Sequence, residues 1–200
     1  CTINAAGIEI NDKNFPDETF RNYVQKFDTV DDDILSGTEI AAVTEIDVSF
    51  KGISDLKGIE YFTALTKLDC GENLLTSLDV SQNTALTELY CSENKYQIKL
   101  TGSTFDMSTL PEGFDITKAS EWTNAETKGN ILTVTDPTKA VTYKYALGNN
   151  STEIFTLVPV SAELTEDMIS EIEAQTYTGS EIKPEMTVSC GGKVLTEGED

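Results

Sequence analysis

Between residues 28 and 39 the chain reads Asp28-Thr-Val-Asp-Asp-Asp-Ile-Leu-Ser-Gly-Thr-Glu39, with carboxylates at a spacing that can cradle a hard divalent cation. Matched to the twelve-residue loop of an EF-hand, Asp28 stands at position 1 and Asp32 at position 5, Ile34 offers its backbone carbonyl at 7, Leu35 is the apolar anchor at 8, and Glu39 is the bidentate ligand at 12. Two places depart from the pattern. Val30 removes the carboxylate at position 3, and Asp33 stands where Gly normally supplies the turn at position 6. The set Asp28, Asp32, Ile34 and Glu39 therefore predicts at best a weak Ca2+ site; the other reading is a metal-free helical hairpin that only covers the element after it.

A second constellation is suited to binding. Leu65-Thr-Lys-Leu68-Asp-Cys70-Gly-Glu-Asn73-Leu-Leu75 recurs 21 residues later as Leu86-Thr-Glu-Leu89-Tyr-Cys91-Ser-Glu-Asn94-Lys-Tyr96, the leucine-rich repeat pattern LxxLxLxxNxL with Cys at the third Leu. A more degenerate copy fits at a 22-residue offset, where Val43, Ile46, Val48, Ile53 and Leu56 match Leu65, Leu68, Cys70, Leu75 and Leu78, and Lys51 replaces the Asn. Residues between the buried positions of such a strand stand outward. Stacked coils then align Glu45, Lys67 and Glu88; Asp47, Asp69 and Tyr90; Ser49, Gly71 and Ser92; and Phe50, Glu72 and Glu93. Rings beside carboxylates would suit a basic protein surface or a glycan. The predicted contact residues are Glu45, Asp47, Phe50, Lys67, Asp69, Glu88 and Tyr90. The Asn of each repeat is expected to turn inward and bond backbone groups that the bend leaves unpaired.

Catalysis finds little support. The chain has no His, no Gly-rich phosphate loop and no zinc-type cysteine spacing, so no enzyme is expected on these residues. Its four Cys do not form a disulfide framework, because Cys70 and Cys91 hold equivalent repeat positions and Cys1 and Cys190 lie near the ends; free thiols are predicted. Against 35 Asp and Glu stand 14 Lys and Arg, a formal net charge of -21 that repels nucleic acid and anionic membrane surfaces. No apolar run approaches the roughly 18 residues of a membrane span, so no membrane insertion is expected. Cys1 fits the lipid-modified start of an exported bacterial protein and equally a chain cut at that point; a lipid or cell-wall anchor would lie outside these residues.

These side chains need elements to hold them. Residues 14 to 27 predict a helix with Pro16 in its first turn and Phe20, Tyr23, Val24 and Phe27 on its apolar face; residues 36 to 43 predict a second, with Ser36 as cap and Glu39 three residues on. Leu65, Leu68, Cys70, Leu86, Leu89 and Cys91 are expected to be buried together with Val43, Ile46 and Val48. The repeat spacing decays after Tyr96, and the chain turns to β character. Strands are predicted at Ile131 to Thr135, Val141 to Tyr145 and Ile154 to Val158, with Trp122 in a less regular stretch and a hinge at Pro159-Val-Ser161. The fold class is α+β. Its units are a helical EF-hand-like cap over 1–42, leucine-rich repeats over 43–100, a β-rich cap over 101–161 and a partial Ig-like β module over 162–200, where the sequence stops as though cut partway.

Phe15-Pro-Asp-Glu-Thr-Phe20, the acidic loop, Ile46-Asp-Val-Ser49 with Ile53-Ser-Asp-Leu-Lys-Gly-Ile59, and the Leu-Thr-x-Leu-x-Cys repeats together resemble leucine-rich repeat surface proteins of gut bacteria, internalin-like in organisation. Tyr177-Thr-Gly and Gly191-Gly-Lys-Val-Leu-Thr-Glu-Gly look like the opening of an immunoglobulin-like module that such proteins carry in tandem. The resemblance implies export to the bacterial cell surface and a non-catalytic, adhesion-type module that recognises a protein or glycan through the repeat face. Two rivals are a structural spacer and a non-catalytic fragment of a larger secreted enzyme.

Overall fold

A computed structural model describes residues 7–160 and the short segments 188–190 and 193–195. Strand β1 (Ile8–Glu9) leads to helix α1 (Glu18–Val24), then β2 (Ile34–Leu35), which pairs antiparallel with β1, and helix α2 (Gly37–Ala42). Helix α1 begins later than the predicted residue 14, because Asp17 is its N-cap: one carboxylate oxygen accepts from the Phe20 N–H at 3.0 Å. The other accepts from the Ser54 N–H at 2.9 Å and ties the helix to the first coil. Pro16 precedes the cap, and the Phe15 and Pro16 carbonyls accept from the Arg21 guanidinium at 2.6 and 3.1 Å. The expected apolar face holds. Phe20 and Val24 are fully buried, and Phe27 meets the Phe62 ring edge-on with centroids 5.6 Å apart.

Strands β3 (Glu45–Asp47), β4 (Lys67–Asp69) and β5 (Glu88–Tyr90) form a parallel sheet in that order, with Ile46, Leu68 and Leu89 in register. Each coil bends after its strand at a left-handed residue in the same place: Phe50, Glu72 and Glu93, with φ of 55, 53 and 61°. Asn73 and Asn94 turn inward, both buried. The Asn73 side chain accepts from the Lys51 and Ile53 N–H groups and donates to the Val48, Cys70 and Gly71 carbonyls. Asn94 repeats the scheme one coil on, toward Leu75, Cys70 and Cys91.

Burial departs from expectation in the third coil. Leu65, Leu68, Cys70 and Cys91 join Val43, Ile46 and Val48 in the core, whereas Leu86 and Leu89 are only half-buried. The reason is position: β5 is the last strand of its sheet and carries no further coil. The opposite edge is covered by α1, whose Tyr23 hydroxyl accepts from the Asp47 N–H at 3.0 Å.

After Asn94 the chain leaves the parallel sheet. Strand β6 (Lys95–Lys99) is followed by β7 (Thr104–Asp106), β8 (Ala119–Thr123), β9 (Ala125–Lys128), β10 (Ile131–Val134), β11 (Val141–Ala146) and β12 (Thr152–Val160). These form a sheet ordered β6-β12-β11-β8, with β6 parallel to β12, and a smaller sheet ordered β7-β10-β9. Trp122 lies within a regular strand, β8, and stacks on Tyr143 at 4.4 Å. Of the predicted hinge, Pro159 and Val160 are strand, pairing with Ile98 and Lys99 at a place where the ladder between β11 and β12 has ended at Leu157, and Ser161 lies outside the described residues. The β cap closes on the solenoid through the Tyr143 hydroxyl, which donates to the Thr76 carbonyl at 2.6 Å, and the Val80 N–H, which donates to the Leu147 carbonyl at 2.9 Å. Buried apolar residues run from Ile10 to Leu157 as one core. Strands β13 (Val188–Cys190) and β14 (Lys193–Leu195) make an antiparallel pair. Otherwise the expected Ig-like module over 162–200 lies outside the described residues.

Candidate functional site

Two of the four ladders drawn from the repeat pattern are ladders of the sheet, and the other two lie on the bend that follows it. Glu45, Lys67 and Glu88 are in register, and so are Asp47, Asp69 and Tyr90. Phe50 is 71% exposed and Tyr90 52%, so both rings stand open to solvent beside the strand face. Lys67 links the coils: its ammonium is 3.9 Å from Glu88 and 5.8 Å from the centre of the Tyr90 ring, and the Tyr90 hydroxyl reaches Glu88 at 3.5 Å. Asp47 accepts from the Ser49 hydroxyl at 2.7 Å and the Ser49 N–H at 3.1 Å, which hold its carboxyl below the usual range and keep it charged. Asp69 accepts from the Gly71 N–H at 3.1 Å. All seven predicted contact residues thus lie on one strand face or the bend beside it, and the face is acidic and stiffened by its own side chains.

The acidic loop has the predicted outline of helix, loop and helix, but its carboxylates are spent differently. Glu39 is 8% exposed and its two oxygens take four donors: the Thr29 N–H and hydroxyl, both at 2.6 Å, and the Ser36 N–H and hydroxyl, both at 2.8 Å. Those bonds, led by the Thr29 hydroxyl, pull the Glu39 carboxyl from 4.5 to about 2. Asp28 accepts from the Val30, Asp31 and Asp33 N–H groups, and Asp32 from the Ile34 N–H. Asp31 and Asp33 both take left-handed backbone, with φ near 60°, to make this turn without glycine. Among the described residues no three His, Cys, Asp or Glu side chains are placed to hold a metal ion together. As arranged, both oxygens of Glu39, the expected bidentate ligand beside Asp28, Asp32 and the Ile34 carbonyl, are engaged by protein donors, which an ion would have to displace.

Two roles escaped the sequence. Tyr23 counted only as apolar surface, yet its hydroxyl ends the sheet and Lys26 sits 3.5 Å over its ring; a Tyr where Phe would serve was the available signal. Asn83 is buried and donates to the Ile59 and Phe62 carbonyls, outside the repeat consensus that singled out Asn73 and Asn94. Nucleophilic chemistry gains nothing here. Cys70 and Cys91 are free and buried, and the hydrogen bond with Cys91, together with burial, pushes the Cys70 thiol well up.

No family model matches the chain. It is 38% identical over 84 residues to internalin J of Listeria monocytogenes, a match that spans 42% of this chain and 9% of that much longer relative. Among solved structures, the functional domain of InlJ from Listeria monocytogenes, which includes a cysteine ladder, is 38% identical, with 46% of this chain and 21% of that one covered and a TM-score of 0.41. An internalin, inlF, from the same species is 28% identical, covering 48% of this chain and 29% of that one with a TM-score of 0.39. No helix of the described residues is long and apolar enough to cross a membrane. By its sequence likeness and its stacked coils, the chain shares the internalin-like, leucine-rich repeat organisation of these Listeria proteins.

Proposed function

We propose that this chain is a non-catalytic binding module of an exported bacterial surface protein, and that its repeat face recognises a protein or glycan. The observation that carries the reading is the register that sets Asp47, Asp69 and Tyr90 side by side, with Glu45, Lys67 and Glu88 beside them and Phe50 at the bend. Exposed rings next to carboxylates offer contact area and hydrogen-bond acceptors that such a partner would use. Likeness to internalin J supports the class of protein and leaves the partner open, since the match is a small part of that relative. A second reading, a spacer that separates a distant domain from the cell, draws on the shortness of the sheet, three strands of three residues each. An oligosaccharide array and a displayed peptide library, each probed with the wild type and with Asp69→Asn/Tyr90→Ala, separate the two. Saturable binding lost in the double variant supports recognition; no binder in either collection leaves the spacer.

A further inference from the structure

A cleft of about 350 Å³ lies away from the repeat face, between the solenoid turns at 55–60 and 77–82 and the cap segment at 112–113. Leu56, Ile59 and Leu78 give it an apolar lining, and each is otherwise buried in the core. Its charged lining is mainly acidic. Three of the carboxylates already have donors: Glu112 is 3.0 Å from the Lys57 ammonium, Asp79 is 2.7 Å from that of Lys118, and Glu60 accepts from the Gly58 N–H at 2.7 Å. Asp55, like Glu60 and Glu112, is engaged at one oxygen, by the Lys57 N–H at 2.7 Å, and its other oxygen takes no hydrogen bond from the described residues; what sets it apart is its place between the apolar wall of Leu56 and the floor of the cleft, partly out of water. Burial, with Asp17 and Glu112 nearby, holds its carboxyl above the ordinary range although that N–H and the Lys57 charge pull the other way. A partly desolvated carboxylate with one open oxygen is stabilised by an added cation.

We propose that this seam binds a primary alkylammonium group, with the ammonium on the open oxygen of Asp55 and the alkyl chain along Leu56, Ile59 and Leu78. A divalent metal does not suit the place, because no three carboxylates converge among the described residues. A guanidinium prefers two oxygens in a fork, and Asp55 has one free. An alkyl stem that lies on apolar surface with its charge at one end matches a lysine side chain or a small free amine. The site is independent of the repeat face, so either can fail alone.

The test is a methyl-NMR titration of the intact chain with n-butylammonium, with n-butanol as its uncharged counterpart, and with the peptide acetyl-Gly-Lys-Gly-amide. Saturable shifts at Leu56, Ile59 and Leu78 are expected with at least one ammonium probe and not with butanol. Affinity should fall about tenfold in Asp55→Asn, as the loss of a charge-assisted hydrogen bond implies. It should also fall in Glu112→Gln, where the residue is 73% exposed and its loss frees Lys57 to occupy Asp55; this variant decides the matter if Asp55→Asn does not fold. Tighter binding of the peptide assigns the site to a partner's lysine, and binding of butylammonium alone assigns it to a free amine. Equal binding of butanol, no saturation by either ammonium probe, or unchanged affinity in the folded variants overturns the proposal.

Discussion

Asn73 shows why the first coil lacks its asparagine. Its carboxamide accepts from the Lys51 and Ile53 N–H groups, so each repeat Asn serves the bend of the coil before it. The first coil has only the helical cap before it, and Lys51 can stand at that position without leaving a bend unpaired. Asn73→Ala leaves those two N–H groups without their partner and should destabilise the fold by about 2 to 4 kcal/mol, read from urea unfolding. Leu68, fully buried between two coils, should lose about 2 to 5 kcal/mol on truncation to Ala. Leu89→Ala should lose clearly less, under about 2 kcal/mol, because its side chain is only partly buried and has less area to forfeit. Equal losses at the two leucines would mean that something covers β5. Parity within LxxLxLxxN sufficed to place these side chains inward; it could not tell a central strand from the last one, since that depends on what stacks beyond.

The clasp of α2 to the acidic loop shows one carboxylate that two patterns claim. Ser36 and Glu39 form the predicted capping box, with both reciprocal bonds present. The same carboxylate is also matched to a metal, and in the folded loop Thr29 holds one oxygen and Ser36 the other, so an ion would compete with both. Thr29 lies ten residues from Glu39, and the spacing of carboxylates along the chain does not show that contact. β6 was missed for a similar reason: it starts on the last residues of the repeat, Lys95 and Tyr96, and only the distant pairing with β12 puts it in another sheet. The clasp has a pH signature. Glu39 has a folded-state value near 2 against an ordinary 4.5, so its contribution is complete above about pH 4.5 and is lost as pH falls toward 2. Asp136, lowered to about 2 by Lys139 and Thr138, titrates in the same window. Melting temperature should therefore fall over this range in the wild type, with a shallower fall in Glu39→Gln, which begins from a lower value. Calcium at several millimolar should not shift the wild-type melting temperature; a rise absent from Glu39→Gln would show that the ion displaces the Thr29 and Ser36 donors.

A formal charge of -21 over 200 residues makes the whole chain a reagent for telling its possible partners apart. A basic protein would be drawn toward the acidic strand face over roughly a Debye length, about 10 Å at 0.1 M salt and about 3 Å at 1 M, so its association rate should fall steeply as salt is added. A neutral glycan gains nothing from that field and would owe its affinity to ring contact with Phe50 and Tyr90 and to hydrogen bonds with the fixed carboxylates. Its association should hardly respond to salt. Replacing Asp47 and Asp69 with Asn and Tyr90 with Ala removes two charges and one ring from in-register outward positions, none of them in the core. This triple variant should melt within a few degrees of the wild type, as exposed substitutions change stability little. Surface plasmon resonance of the bound species at two salt concentrations then gives distinct outcomes. A rate that drops with salt and with the triple variant identifies a basic protein partner; a salt-independent rate with faster dissociation of the variant identifies a glycan held by the ring. Binding that persists unchanged in a folded triple variant would place recognition elsewhere on the molecule and remove the repeat face from the function.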